Sequence, residues 1–249
     1  MFLNFHLLKL LVMTKNIQEK TIGELFAANA HLGHRKNRLH PKARKFVYKI
    51  INGSAVIDLT KTVGELEKAE HFISSLRKEG KTLLIVATKK ISHQFIAELS
   101  IKYGIPYITT KWPPGLLTNF EMIMRNVKRL NTLQEERNNG SWEKFVKHEI
   151  VQLEKEIAKL KKFYGGITQL TKKPDALLIV DTRKEKNALK EAQEYKIPVV
   201  ALLDTNSDPS VIDYPVVAND DSAGSIEYIL TKLTATYGAA TREEAKKTE

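Results

Sequence analysis

The sequence predicts an α/β fold: a mostly parallel, doubly wound sheet with helices on both faces and an inserted antiparallel coiled-coil arm. Three observations carry that expectation. The runs "TLLIVATKK", "DALLIVDT" and "IPVVALLDT" are short and almost continuously apolar, as strands buried on both faces are. Amphipathic stretches of helical length alternate with them, the pattern of βαβ units. Around residues 118–165 the alternation stops and apolar residues recur in steps of three and four, the spacing of a coiled-coil seam.

The elements follow in order. "IGELFAANA" reads as a short helix, and "KFVYKIINGSAVIDL" as two β-rich runs around Asn52-Gly53, a pair that suits a type I′ hairpin turn because both turn positions need φ > 0. "TVGELEKAEHFISSLRKEG" is an amphipathic helix leading into the strand "TLLIVATKK"; "SHQFIAELSIKYG" and the short strand "IPYIT" follow. In the arm, Phe120, Ile123, Val127 and Leu130 precede a polar turn at Asn138-Asn139-Gly140, and Val146, Ile150, Leu153, Ile157, Leu160 and Tyr164 come after it. The sheet then resumes with "DALLIVDT", the helix "KEKNALKEAQEYK", the strands "IPVVALLDT" and "YPVVAND", and a last helix from about Ser222 to Tyr237. The expected organisation is an α/β domain over 13–117 and 166–240, a coiled-coil hairpin over 118–165 and a frayed tail over 241–249. Residues 1–12 are set apart as an extension. "MFLNFHLLKLLVM" is as apolar as a short signal core but has no basic flank, small-residue cleavage site or Arg-rich face, and an ordinary start follows Met13.

Composition narrows the chemistry. The 249 residues include no cysteine, which excludes disulfides, thiolate metal sites and cysteine nucleophiles. No apolar run reaches the roughly 18–20 residues of a membrane-spanning helix, so no membrane partner is expected. Neither G-x-x-x-x-G-K-[ST] nor G-x-G-x-x-G is present, so the sheet lacks a phosphate-cradling nucleotide fingerprint, and no G-x-S-x-G elbow supports a serine nucleophile. Fold alone does not assign function.

The charge is unevenly spread. Forty Lys+Arg against 29 Asp+Glu give +11, and residues 31–50 hold seven Lys/Arg, three histidines and no carboxylate. Such a segment suits a polyanion, with a solvated basic loop as the plain alternative. His31 and His34, at i,i+3, with His40 form a conceivable metal set, but no adjacent acid or thiol completes it and seven cations oppose a bound ion. No metal is expected. RNA fits better: each Lys or Arg that neutralises a phosphate releases counterion, while the histidines, Phe46 and Tyr48 offer flat surfaces for stacking. No helix-turn-helix or zinc-finger pattern favours duplex DNA. "TKK" at 88–90 and "KW" at 111–112 follow consecutive strands, and Arg125, Lys128 and Arg129 lie on the outer face of the arm.

Asp181, Asp204, Asp208, Asp220 and Asp221 follow strands, where parallel sheets carry ligands. They open an alternative reading, a Mg²⁺-dependent phosphate-processing enzyme. The competing reading makes them Asx-turn and helix-capping residues, and "DTNSDP" and "NDDSAGS" favour it.

Taken together, "AHLGHRKNRLHPKARKFVY", "DLTKT", "VATKK", "KWPPGLLTN", "LEKEIAKLKKFYGGI", "PDALLIVDTRKEKNALKEA", "IPVVALLDTNSDP" and "NDDSAGSI" resemble, in order, the bacterial-type small-subunit ribosomal protein two family over about residues 20–240. The resemblance implies a Rossmann-like (flavodoxin-like) α/β domain with a protruding coiled coil, serving as a non-enzymatic structural component of the small ribosomal subunit. It further implies binding to small-subunit ribosomal RNA near the junction of head and body, and recruitment of the neighbouring ribosomal protein one, an mRNA binder. No cofactor or small-molecule substrate is implied, and the expected location is the cytoplasmic small subunit, with an organellar ribosome as the alternative. By position, the RNA-contacting stretches are Arg35 to Lys45, Lys89-Lys90 and Lys111 to Asn119. Chemistry within and beside them selects Arg35, Lys36, Arg38, Lys42, Arg44, Lys45, Lys89, Lys90, Lys111, Trp112, Asn119, Arg125, Lys128 and Arg129. One departure stands out: Pro114 occupies the place of the first glycine in the family's W-x-G-G-x-L-T-N and Pro113 the residue before it, and proline there forbids both positive φ and N–H donation.

Overall fold

A computed structural model describes the backbone of residues 18–247 and the side chains of residues 18–240. The extension at 1–12 lies outside the described residues. The chain divides into two compact units, one formed by the stretches before Lys78 and after Val200, the other by Glu79–Val199. Strands form a three-stranded antiparallel sheet, in the order β1-β3-β2, and a five-stranded sheet, in the order β5-β4-β6-β7-β8. The α/β expectation with a mostly parallel sheet flanked by helices holds.

In the first unit, helix α1 (18–27) leads into β1 (Leu32–Arg35), two 3-10 turns at Lys36–Arg38 and Pro41–Phe46, β2 (Val47–Ile51), β3 (Ser54–Ile57) and α2 (Leu59–Lys78). Asn52 at φ 50° and Gly53 at φ 77° close the β2–β3 hairpin, with Ile51 opposite Ser54. Both central residues are left-handed, as a type I′ turn demands, so that expectation is met. The strand β1 is not expected from the sequence: Leu-Gly-His-Arg shows no apolar alternation, and it exists because β3 supplies an edge to pair with. What reads as a basic loop is therefore partly a strand.

The same unit contains β8 (Tyr214–Val217), paired in parallel with β7 (Val199–Leu203), and α7 (Ala223–Lys247). α2 buries Leu59, Thr62, Val63, Leu66, Ala69, Ile73 and Leu76, a three-and-four spacing that makes one apolar stripe. Ile226, Ile229, Leu230, Leu233 and Tyr237 do the same for α7. Thr62, polar within that stripe, is satisfied by donating its hydroxyl to the Val217 carbonyl at 2.7 Å.

The second unit carries β4 (Leu83–Val86), α3 (His93–Tyr103), β5 (Tyr107–Ile108), α4 (Phe120–Asn138), α5 (Lys147–Tyr164), β6 (Ala176–Val180) and α6 (Lys186–Glu194). β4 pairs in parallel with both β5 and β6. Every residue of β4 and β6 is buried, which is why their sequences show no polar alternation. α3 ends at Gly104, whose φ of 64° is the left-handed cap that glycine takes without strain.

α4 and α5 pack through Leu130, Leu133 and Ile157, with Ile150, Leu153 and Leu160 half-buried against them. One residue that the sequence spacing places between the helices is not covered. Val146 is 55% exposed and serves instead at the start of α5, where its N–H donates to Glu149 at 3.1 Å. The connection over 139–146 is not merely polar either: Trp142, 6% exposed, folds back into the same cluster.

Candidate nucleic-acid interface

The basic segment is held by its backbone, which leaves its cationic side chains outward. Lys36 donates its N–H to the Gly53 carbonyl at 2.8 Å, and His40 donates to the Thr205 carbonyl at 2.8 Å. His34 N–H reaches Thr205 Oγ1 at 3.0 Å and Asp204 Oδ1 at 3.3 Å. Gly33 is needed for this approach, since a Cβ there would lie 2.9 Å from Thr205 Cγ2 and 3.1 Å from the Ala55 carbonyl. Anchored so, Arg35 at the end of β1, Lys36 and Arg38 on the first 3-10 turn, and Lys42, Arg44 and Lys45 on the second are all exposed, as is Lys49 on β2.

Exposure is not the same as availability. Lys42 Nζ lies 3.0 Å from Asp208 Oδ2 and 2.8 Å from Ser210 Oγ. The Ser210 hydroxyl, its backbone N–H and Lys42 hold the Asp208 carboxyl down at about 2, so the carboxylate stays charged and partly cancels that lysine. Lys45 lies 5.1 Å from the centre of the Phe46 ring.

Of the histidines and aromatics of this segment, His31, His34 and Phe46 face partners within the protein rather than solvent. His34 is neither a stacking platform nor simply turn-forming: Nδ1 sits 2.7 Å from the buried Asp204 carboxylate, and Nε2 lies 3.1 Å from Asn206 Nδ2 and 3.6 Å from Asp221. His31 stacks internally on Phe26, with ring centres 4.1 Å apart and planes 13° from parallel; burial lowers its pKa and favours the neutral ring. Phe46 is buried, so its face is not offered to a base, whereas Tyr48 is 75% exposed. The grouping His31, His34 and His40 is not the one the fold assembles. His34, Asp204 and Asp221 are, with ligand-type atoms all within 4.8 Å of one another. The missing acids come from residues some 170 positions away, which local inspection around His34 does not reach.

In the second unit, Lys89 is half-buried and pairs with Asp181 at 3.1 Å, while Lys90 and Lys111 are exposed. Trp112 is only 3% exposed, and its indole N–H donates to Glu191 at 3.0 Å. It is a packing residue and leaves the set of RNA contacts. The same carboxylate accepts from Gly115 N–H at 2.9 Å and Leu117 N–H at 3.0 Å. Glu191 thereby fixes the loop from α6, and nothing in the sequence singles it out. It also resolves the proline departure: positive φ falls on Gly115, at 91°, and the N–H groups that reach Glu191 are those of Gly115 and Leu117, so Pro113-Pro114 need supply neither. Asn119 is exposed at the start of α4 and makes no side-chain cap. Arg125, Lys128 and Arg129 are exposed on α4, but Arg129 is engaged in a two-pronged pair with Glu156, at 3.1 and 3.3 Å.

Three of the strand-end aspartates are occupied with backbone. Asp181, itself left-handed at φ 65°, accepts from the N–H groups of Arg183 and Lys184, each at 3.1 Å. Asp204 accepts from His34 and Thr205, and Asp208 from Ser210 at 2.9 Å. Asp181 and Asp208 thus take the turn and capping roles the sequence favours, whereas Asp204 ties β1 to the loop after β7 instead.

The family model for ribosomal protein S2 matches residues 25–240. The chain belongs to the ribosomal protein S2 family. Two curated members give the scale of the similarity. The small ribosomal subunit protein uS2 of Coprothermobacter proteolyticus is 40% identical over 213 residues, 86% of this chain and 80% of that protein. The protein of the same name from Phocaeicola vulgatus is 40% identical over 206 residues, 83% of this chain and 74% of its own length. The S2 match takes in the basic segment, the Glu191-pinned loop and both α4 and α5, so the resemblance read from the ordered motifs holds. Among the described residues, no helix is long and apolar enough to cross a membrane.

Proposed function

We propose that this chain is a structural, non-catalytic constituent of the small ribosomal subunit, held on ribosomal RNA by its basic segment and working in translation on a cytoplasmic ribosome. The observation that carries the RNA contact is that all seven Lys/Arg of residues 31–50 are exposed while the backbone beneath them is pinned. A preorganised cationic surface spends little conformational freedom when it meets phosphate. S2 membership and the similarity to two proteins named small ribosomal subunit protein uS2 support the ribosomal setting. Lys90, Lys111, Asn119, Arg125 and Lys128 extend the contact set, with Lys89 and Arg129 contributing less because each already faces a carboxylate. On the same reading, neighbouring small-subunit proteins, including ribosomal protein one, are its protein partners. The enzyme alternative draws no support from aspartates already accepting backbone N–H groups.

The test is sedimentation. The intact chain is expected to travel with small subunits in a sucrose gradient. A variant with Arg35, Lys36, Arg38, Lys42, Arg44 and Lys45 replaced by glutamine is expected near the top. Wild-type protein that never enters the particle fractions defeats the reading.

A further inference from the structure

Where the loop after β5 meets the base of α4 and α5, the second unit contains a cavity of about 430 Å³. That is far more than the roughly 30 Å³ share of one water and within the range of about 300–1,000 Å³ typical of small-molecule sites. Its walls include Pro113, Phe163 and Tyr164, with Asn126 between apolar neighbours and Lys111 and Lys159 among the lining; no lining residue is a carboxylate. Asn126 donates to the Tyr164 hydroxyl at 3.2 Å, which fixes the amide while leaving its carbonyl oxygen and second N–H for a ligand. Phe163 and Tyr164 are half-buried, so each keeps part of its ring open to the cavity side.

We propose that this cavity receives one unstacked nucleotide of the bound RNA, its base against the aromatic and proline walls and its phosphate within reach of Lys111 and Lys159. Flat rings, an amide carrying both a donor and an acceptor, and flanking cations without acids are the combination by which proteins hold single-stranded bases. An apolar peptide would use the same rings but has no need of two lysines, and the absence of a carboxylate suits an anion. The inference rests on the RNA-binding reading and deepens it, from a surface that holds phosphate to a site that selects unpaired RNA.

The probes are a fluorescein-labelled single-stranded RNA dodecamer and a fully paired RNA hairpin with the same number of phosphates, titrated into the intact chain and followed by anisotropy. Phe163→Ala is expected to weaken the dodecamer about tenfold, since stacking on one aromatic is worth that much, and Asn126→Leu about fivefold, the worth of a lost hydrogen bond; both are expected to change the hairpin less than twofold because the lysines remain. Unchanged dodecamer binding, or equal loss for both RNAs, overturns the proposal. The glutamine variant of the basic segment separates the two failures: if it too binds both RNAs normally, the RNA reading itself falls, whereas if it alone loses binding, only the cavity is wrongly assigned. Should either variant unfold, wild-type chain irradiated with a 4-thiouridine dodecamer decides. Adducts within 111–126 or 159–164 support the site, and adducts confined elsewhere refute it. In assembled subunits, Phe163→p-benzoylphenylalanine capturing protein rather than RNA assigns the cavity to a peptide and refutes it as well.

Discussion

Glu185 is 3% exposed at the entry to α6, an uncommon place for a carboxylic acid. Burial pushes its pKa up, opposed by the Thr88 hydroxyl that donates to it and by Lys184, whose ammonium reaches the Thr88 carbonyl at 2.8 Å. The net direction is upward, because removing the charged form from water costs more than these partners return. A raised folded-state pKa contributes stability that is fully present below the unfolded value near 4.5 and is lost as pH rises through the folded one. Glu185→Gln keeps an acceptor for Thr88 and removes the buried charge. It is therefore expected to match or trail wild type at pH 4 and to exceed it at pH 7 in urea denaturation. A stability difference that does not grow with pH would show that the charge is not the cost. Nothing in "DTRKEKNALK" marks this residue, since its hydrogen-bond partner Thr88 lies 97 positions earlier.

At the scale of elements, the packing of α4 on α5 turns on Trp142. The ring joins Leu130, Leu133 and Ile157, and its N–H points to Glu136 at 3.5 Å. Removing a buried aromatic typically costs about 3–5 kcal/mol, so Trp142→Ala should speed hydrogen exchange in α4 and α5 while amides of β4 and β6 keep their protection. Loss of protection throughout the unit would mean that the helix pair does not open on its own. The contrast explains what was legible. β4, β6 and β7 could be read directly because burial on both faces demands an unbroken apolar run. The hairpin could be read because Asn-Gly is one of few pairs that accept two positive φ values. Trp142 could not, standing in "NNGSWEKF", where neighbours are polar and the contacts lie in flanking helices. β1 could not, because four residues of "LGHR" carry no period and gain their strand only by pairing with β3. The site divides along the same line. Cations were recognisable by type, but Asp208, Asp181, Glu191 and Asp204, which pin or partly neutralise them, are brought in by the fold over long sequence separations.

For the whole molecule, a net charge of +11 predicts attraction to any polyanion, yet the arrangement of partners predicts which charges count. If six cations of the basic segment each neutralised a phosphate, affinity would fall on the order of 10³ between 50 and 200 mM salt. Lys42 should contribute less than its share, because it already sits 3.0 Å from the Asp208 carboxylate and releases fewer RNA counterions on binding. Arg38, exposed on the first 3-10 turn, has no such discount on the contacts seen. Plotting log affinity for a small-subunit RNA fragment against log salt, Arg38→Gln should flatten the slope by about 0.7–0.9, the increment for one phosphate contact, and Lys42→Gln by clearly less. Asp208→Asn frees Lys42 from its partner and is expected to steepen the slope, with Lys42→Gln then costing as much as Arg38→Gln. Equal slopes for the two single variants, with no response to Asp208→Asn, would mean that the ion pair opens when RNA arrives and that net charge alone governs binding.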